Sequence, residues 1–230
     1  MFFDPLYLLF MLPGLALSMW ASYRTKSAFE KYSKVRSGVG HTGAQAARLM
    51  LDRAGLHDVK IQRTGGILSD HYNPMTRSLS LSEAVYDIPS IAAIGVATHE
   101  AGHAIQHAKK YSPLWLRSAL VPTANIGSSV GYMVMFLGLF MQSQNMVLLG
   151  AVLFSMVLLF QIVTLPVEFD ASNRAKELVV SYGIVTSNER EGIDRVLNAA
   201  ALTYVAAAVS TLLTLLYFLM RAGLLGGRRE

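Results

Sequence analysis

The sequence predicts a mainly α-helical membrane protein, with about four transmembrane helices and an α+β portion outside the bilayer. That portion carries a short β-sheet and a helix bearing an H-E-x-x-H motif. Three observations carry this expectation. Hydrophobic residues make up 53% of the 230 residues and charged residues only 15%, whereas about 25% is charged in an ordinary soluble domain. Four segments hold the roughly 20 mostly apolar residues that a bilayer crossing needs. Between the first two of them lies a stretch of mixed helical and alternating patterns.

The spans are read at residues 5–23, 118–141, 146–165 and 199–220. The chain begins "MFFDP" without a basic n-region, and no small-x-small cleavage site precedes "SYRTK". The first segment therefore reads as a span rather than a removable signal. The second contains Pro122, Asn125 and Gly127, which bend a helix and are tolerated where protein covers them. Small residues in "GSSVG" (127–131) permit close helix packing, within a subunit or between subunits of an oligomer.

Orientation follows from lysine and arginine. Arg24, Lys26, Lys31, Lys34 and Arg36 follow the first span, and Lys109, Lys110 and Arg117 precede the second. Arg174, Lys176, Arg190 and Arg195 lie between the third and fourth, while "QSQN" between the second and third is uncharged. Both large loops are thus expected in the cytoplasm, outvoting Arg221, Arg228 and Arg229 at the C-terminus. The expected organisation is a first span over 1–23, a soluble portion over 24–117 and two spans over 118–165. A cytoplasmic helical segment follows over 166–198, then a fourth span with its tail over 199–230.

Within the soluble portion, "TGAQAARLMLDRAGL" has apolar residues at helical spacing, with Thr42 as N-cap and Gly55 as stop. "VKIQRT" (59–64) and "RSLSLS" (77–82) alternate as strands, and "HYNP" reads as a turn. "IPSIAAIGVATHEAGHAIQHAKK" reads as one long helix with Pro89 near its start.

The chemistry sits in "VATHEAGHAIQH" (96–107). Helix positions i and i+4 share a face, so His99 and His103 can turn two imidazoles towards one ion. Glu100, about 100° further round, flanks that ion without having to bind it. Two nitrogen ligands and a carboxylate able to take a proton from metal-activated water are the parts of a zinc hydrolase. The bland reading is a solvated polar face. Against it, the helix is apolar on both sides of the motif, where unpaired polar groups are costly. Zinc needs one more protein ligand, leaving a corner open. Glu168, in "LPVEFDASNRAKE", follows the third span and reads as the first turn of a helix starting after Pro166. Asp170 is its rival, with Arg174 at i+4 offering a salt bridge instead. His107 continues the histidine stripe. Lys109 stands where the longer metzincin pattern requires a third histidine, which argues against that class.

"DHYNPMTRSLSLSEAVYDIPSIAAIGVATHEAGHAIQH" together with "PVEFDASNRA" resembles the YugP-like family of neutral zinc metallopeptidases over about residues 1–220. It is more distantly similar to HtpX and the CAAX prenyl proteases, whose second motif is E-x-x-x-D. The resemblance implies a zincin-like fold, one zinc ion on His99, His103 and Glu168, and Glu100 as general base. Ser172 stands where the distant relatives carry their aspartate. The implied activity is hydrolysis of a peptide or membrane-protein substrate at the cytoplasmic face of a bacterial plasma membrane.

Residues 77–82 are the candidate edge strand for an extended substrate, the alternative being a plain structural strand. His71 and Tyr72 are candidate donors to the oxyanion, the alternative being packing or capping. The competing class is a non-catalytic scaffold or adaptor whose zinc is structural, with His107 or Asp170 as fourth ligand. A nucleic-acid partner is not expected, since no recognition motif accompanies the basic residues. A transporter is disfavoured, since Arg117 is the charged residue placed nearest a span.

Overall fold

In a computed structural model the chain is described over residues 4–66 and 69–225. Arg228 and Arg229, whose charges entered the orientation reading, and the opening "MFF" lie outside the described residues. Two compact units emerge. One is built from Met1–Ala21, Leu116–Leu165 and Thr203–Glu230, the other from Ser22–Trp115 and Pro166–Leu202.

The first unit holds the apolar helical segments. Helix α1 is Pro5–Ser33, α5 Ser112–Ile126, α6 Tyr132–Phe140, α7 Gln144–Ser181 and α8 Arg190–Arg221. Four helical runs among the described residues are long and apolar enough to cross a membrane, one of them being α5 and α6 joined by a π-helical turn at Gly127–Gly131. Only 11–22% of each run's apolar window is buried, so most of that surface faces outward, as it must where the surroundings are lipid. The "GSSVG" glycines serve packing within the chain. A Cβ at Gly131, Gly138 or Gly150 would stand 2.5–2.7 Å from a main-chain nitrogen of the facing helix, so α5–α6 and α7 lie backbone against backbone. Met135, Val147, Phe154, Tyr217 and Phe218 close this unit's core.

The helical runs, Pro5–Ser33, Ser112–Phe140, Gln144–Ser181 and Arg190–Arg221, are longer than the spans read from the sequence. Each outruns its apolar stretch, because polar helix formers continue the pattern beyond it. No new helix starts after Pro166. Instead α7 runs unbroken through it for 38 residues, so Glu168 sits in mid-helix rather than in a first turn. A proline costs one hydrogen bond and some ring crowding, which neighbouring residues absorb in membrane-type helices.

The second unit surrounds helix α4, Ile91–Ala108, whose N-cap Ser90 accepts from the Ala93 amide at 3.2 Å. Helix α2, Gly43–Arg53, begins with a capping box. The Thr42 hydroxyl accepts from the Gln45 amide and the Gln45 side chain accepts from the Thr42 amide. Gly55 ends it at φ +75°, a conformation glycine adopts at little cost. Strands β1, Lys60–Thr64, β2, His71–Asn73, and β3, Ser78–Ser82, form a sheet ordered β1-β3-β2. A short helix α3, Glu83–Tyr86, leads to α4. The core joins Met50, Leu51, Leu79, Leu81, Ile94, Ile184 and Ile193.

The sheet corrects one expectation and extends another. Strand β3 is parallel to β1 and antiparallel to β2, so residues 78–80 are flanked on both sides and have no free edge to offer a substrate, while the Ser82 amide is taken up by Asp70. "HYN", read as a turn, is strand β2, and it forms an outer edge.

Candidate metal centre

The second unit gathers the candidate ligands from two helices. His99 and His103, one turn apart on α4, have ring centroids 4.8 Å apart. Glu168 on α7 reaches both, with Oε2 at 3.2 Å from His99 Nε2 and 3.6 Å from His103 Nε2. One ligand atom each from His99, Glu100 and His103 falls within 4.8 Å of the others.

What lets α7 come so near is Gly102. A Cβ there would stand 2.7 Å from the Ala171 carbonyl oxygen. Only a hydrogen at that position allows the turn carrying Glu168 and Ser172 to lie on α4.

The outer nitrogens of both imidazoles are held. Gln106 donates through Nε2 to the Val167 carbonyl at 2.7 Å and to Asp170 Oδ2 at 2.8 Å. Its Oε1 therefore faces His103 Nδ1, at 2.9 Å, as an acceptor. This places the proton of neutral His103 on Nδ1 and leaves the Nε2 lone pair directed at Glu168. Asp170 is fixed in turn by Arg174, at 2.6 and 3.1 Å, the salt bridge expected from i+4 spacing. On the other imidazole, the Ser172 hydroxyl lies 3.1 Å from His99 Nδ1. Ser172, at the place of the aspartate in the E-x-x-x-D pattern, thus stands within hydrogen-bonding reach of the imidazole. Such outer partners orient ligating histidines and raise their basicity.

Electrostatics favour a cation here. Burial raises the Glu168 carboxyl, but hydrogen bonds and charge from the two imidazoles outweigh it and hold it below the usual range. Burial lowers His103, yet Glu168 and Glu100 reverse the sign and raise it. Burial pushes Glu100 up.

The donor set fits zinc. Two ligands at about 2.0–2.1 Å in a tetrahedron stand roughly 3.3 Å apart, close to the observed 3.2 and 3.6 Å. The two rivals for a further ligand position are engaged elsewhere: Asp170 as described, and His107 through Nδ1 with the Tyr72 hydroxyl at 2.9 Å.

Of the candidate oxyanion donors, His71 is exposed, its Nδ1 2.8 Å from the Ser69 carbonyl. Tyr72 lies at the site, its main-chain N–H donating to Glu100 Oε2 at 3.0 Å. Gln106 went unread in the sequence. The available signal was an amide three residues after a candidate ligand, in an otherwise apolar helix.

Comparison with known proteins agrees with this geometry. The model of a family described as "Putative neutral zinc metallopeptidase" matches residues 7–223. A relative from Bacillus subtilis (strain 168), described as "Putative membrane protease YugP", is 48% identical over 225 residues, covering 98% of this chain and 99% of that protein. No solved structure matches the chain. With nearly its whole length matched, the chain belongs to the family described as "Putative neutral zinc metallopeptidase".

Proposed function

We propose that this protein is a membrane-embedded metallopeptidase with one zinc ion on His99, His103 and Glu168 and with Glu100 as general base. The observation that carries the reading is the convergence of two Nε2 atoms on Glu168 Oε2, with both Nδ1 atoms held from behind. The second unit carries most of the basic residues, so we place the site on the cytoplasmic side of a bacterial plasma membrane. Its substrate is then a peptide or a membrane protein.

When bound, zinc supplies Lewis acidity towards the scissile carbonyl and brings the pKa of its water to about 7. Glu100 takes the proton from the attacking water and passes it to the leaving amine. Burial pushes its carboxyl upward, the direction in which catalytic carboxylates are tuned for such an exchange. Gln106 would hold the His103 ring by Nδ1 and Ser172 the His99 ring, so that each Nε2 faces the ion.

The test uses full-length protein in detergent, with zinc content measured alongside cleavage of labelled β-casein. Glu100→Gln should keep zinc and lose nearly all hydrolysis, and His103→Ala should lose both. Full activity in Glu100→Gln refutes the mechanism. Normal zinc in Glu168→Ala together with loss in Asp170→Ala reverses the third ligand.

A further inference from the structure

The "HYNP" motif has no part in the reading above, yet Tyr72 touches α4 twice. Its N–H donates to Glu100 Oε2 at 3.0 Å, and its hydroxyl is hydrogen-bonded to His107 Nδ1 at 2.9 Å. Glu100 and His107 are seven residues apart, two turns along one face of the helix. One residue of an edge strand therefore clasps α4 on either side of His103.

The neighbouring register explains why that N–H is available. In the antiparallel pairing of β2 with β3, His71 faces Ser80 and Asn73 faces Ser78. Alternation of the ladder leaves the Tyr72 main chain pointing away from β3. The strand's ends are also fixed. Asp70 accepts from the Ser82 amide and hydroxyl at 2.7 and 3.1 Å, and the Asn73 side chain accepts from the amides of Met75 and Thr76. The motif is thus a rigid clip.

We propose that Tyr72, locked by His107, is the positioning residue that aims the Glu100 carboxylate. Its N–H fixes Oε2 and leaves Oε1 for the proton being moved, while the ring, tied to His107, sets where that N–H lies. This rests on the metallopeptidase reading but assigns two residues that the metal and the proton transfer do not name. Because the amide never touches the metal, its loss changes turnover and leaves zinc in place.

The experiment pairs kinetics with hydrogen exchange on full-length protein in detergent, again with labelled β-casein. Tyr72→Phe and His107→Leu should each lower kcat about tenfold, since small misplacements of a reacting group are costly. KM and zinc content should not change. The double variant should lose no more than either alone, as expected for two halves of one contact. His107→Gln, which keeps both an acceptor and a donor for the phenol, should restore kcat to within about twofold of the unsubstituted protein. The Tyr72 amide should be protected from exchange, lose protection in Glu100→Ala and exchange about tenfold faster in His107→Leu. Unchanged kcat in Tyr72→Phe, multiplicative losses in the double variant, or zinc loss in His107→Leu overturns the proposal. If β-casein is not cleaved at all, the hydrolase reading is what fails. The exchange arm then decides the clasp separately, and protection independent of Glu100 and His107 refutes it.

Discussion

Replacing Gly102 by alanine tests whether the approach of α7 to α4 builds the metal centre. The added Cβ would meet the Ala171 carbonyl oxygen at 2.7 Å, its Cα at 3.2 Å and its carbonyl carbon at 3.3 Å, where ordinary contact begins near 3.4 Å. The obstacle is main chain, so α7 must retreat by roughly 0.7 Å, and such overpacking costs about 1–3 kcal/mol. Alanine in place of a helical glycine returns about 1 kcal/mol. The net loss of stability is therefore small, at most about 2 kcal/mol. The loss at the metal is not small. Ala171 lies between Glu168 and Ser172, so the retreat carries Ser172 from 3.1 Å to roughly 3.8 Å from His99 Nδ1, past hydrogen-bonding reach. It moves Glu168 by several times the roughly 0.2 Å that a metal–ligand distance tolerates. Zinc affinity should fall at least 10–100-fold, the loss typical when an outer partner alone is removed. Chelator competition and thermal unfolding in detergent read the two effects separately. Gly95→Ala, on the same helix, is the control, because its Cβ would meet Ile193 at an unstrained 3.6 Å. It should gain about 1 kcal/mol and keep zinc. Unchanged zinc affinity in Gly102→Ala would refute the claim that this contact sets the ligand geometry.

Three further outcomes follow from the same contacts. Gln106→Leu removes the acceptor of His103 Nδ1 and strips a donor from Asp170 and the buried Val167 carbonyl. Zinc affinity should drop 10–100-fold in chelator competition, with a stability loss of about 1–3 kcal/mol on thermal unfolding. Ser172→Ala should weaken zinc about tenfold, and Ser172→Asp should bind more tightly than the alanine variant, as a carboxylate there would accept from Nδ1–H of a His99 that binds metal through Nε2. Glu189 accepts from the Gly38 amide and from the Thr186 amide and hydroxyl at 2.6–2.7 Å. Burial raises its carboxyl, but these bonds outweigh it and leave it below the usual range. A depressed folded-state pKa means the stabilisation is present above the unfolded value of about 4.3 and lost as pH falls through the folded one. Glu189→Gln should therefore unfold at lower temperature than the unsubstituted protein at pH 7, with the gap closing in acid.

Elements with strong local signals were legible in the sequence. The Thr42 cap, Gly55 and the i, i+4 histidines each depend on residues within one or two turns, and each stands where the pattern put it. Glu168 was legible because an acidic residue beside an apolar span is conspicuous. What escaped depends on distant chain. Strand β2 has only three residues, too few for an alternating pattern, and "NP" after it signals a turn. It is a strand because β3 supplies a partner and Glu100 accepts its outward amide. Pro166 read as a boundary because the local cost of proline is visible in sequence and the compensating contacts are not. Gln106 becomes meaningful only once α7 lies on α4, through a glycine whose role is the space it leaves. For residues 77–82 the sequence left an edge strand and a plain structural strand open, because alternation reveals pairing but not which strand lies in the middle.

The chain of bonds from Arg174 through Asp170 and Gln106 to His103 gives the buried centre a handle reachable from water. Arg174 keeps about a quarter of its side chain exposed, and nothing about it needs to enter the pocket. Replacing its guanidinium by a neutral side chain would loosen Asp170, let the amide of Gln106 swing and unsettle the His103 ring. A change at one half-buried cation would then be felt several bonds away at the candidate metal centre.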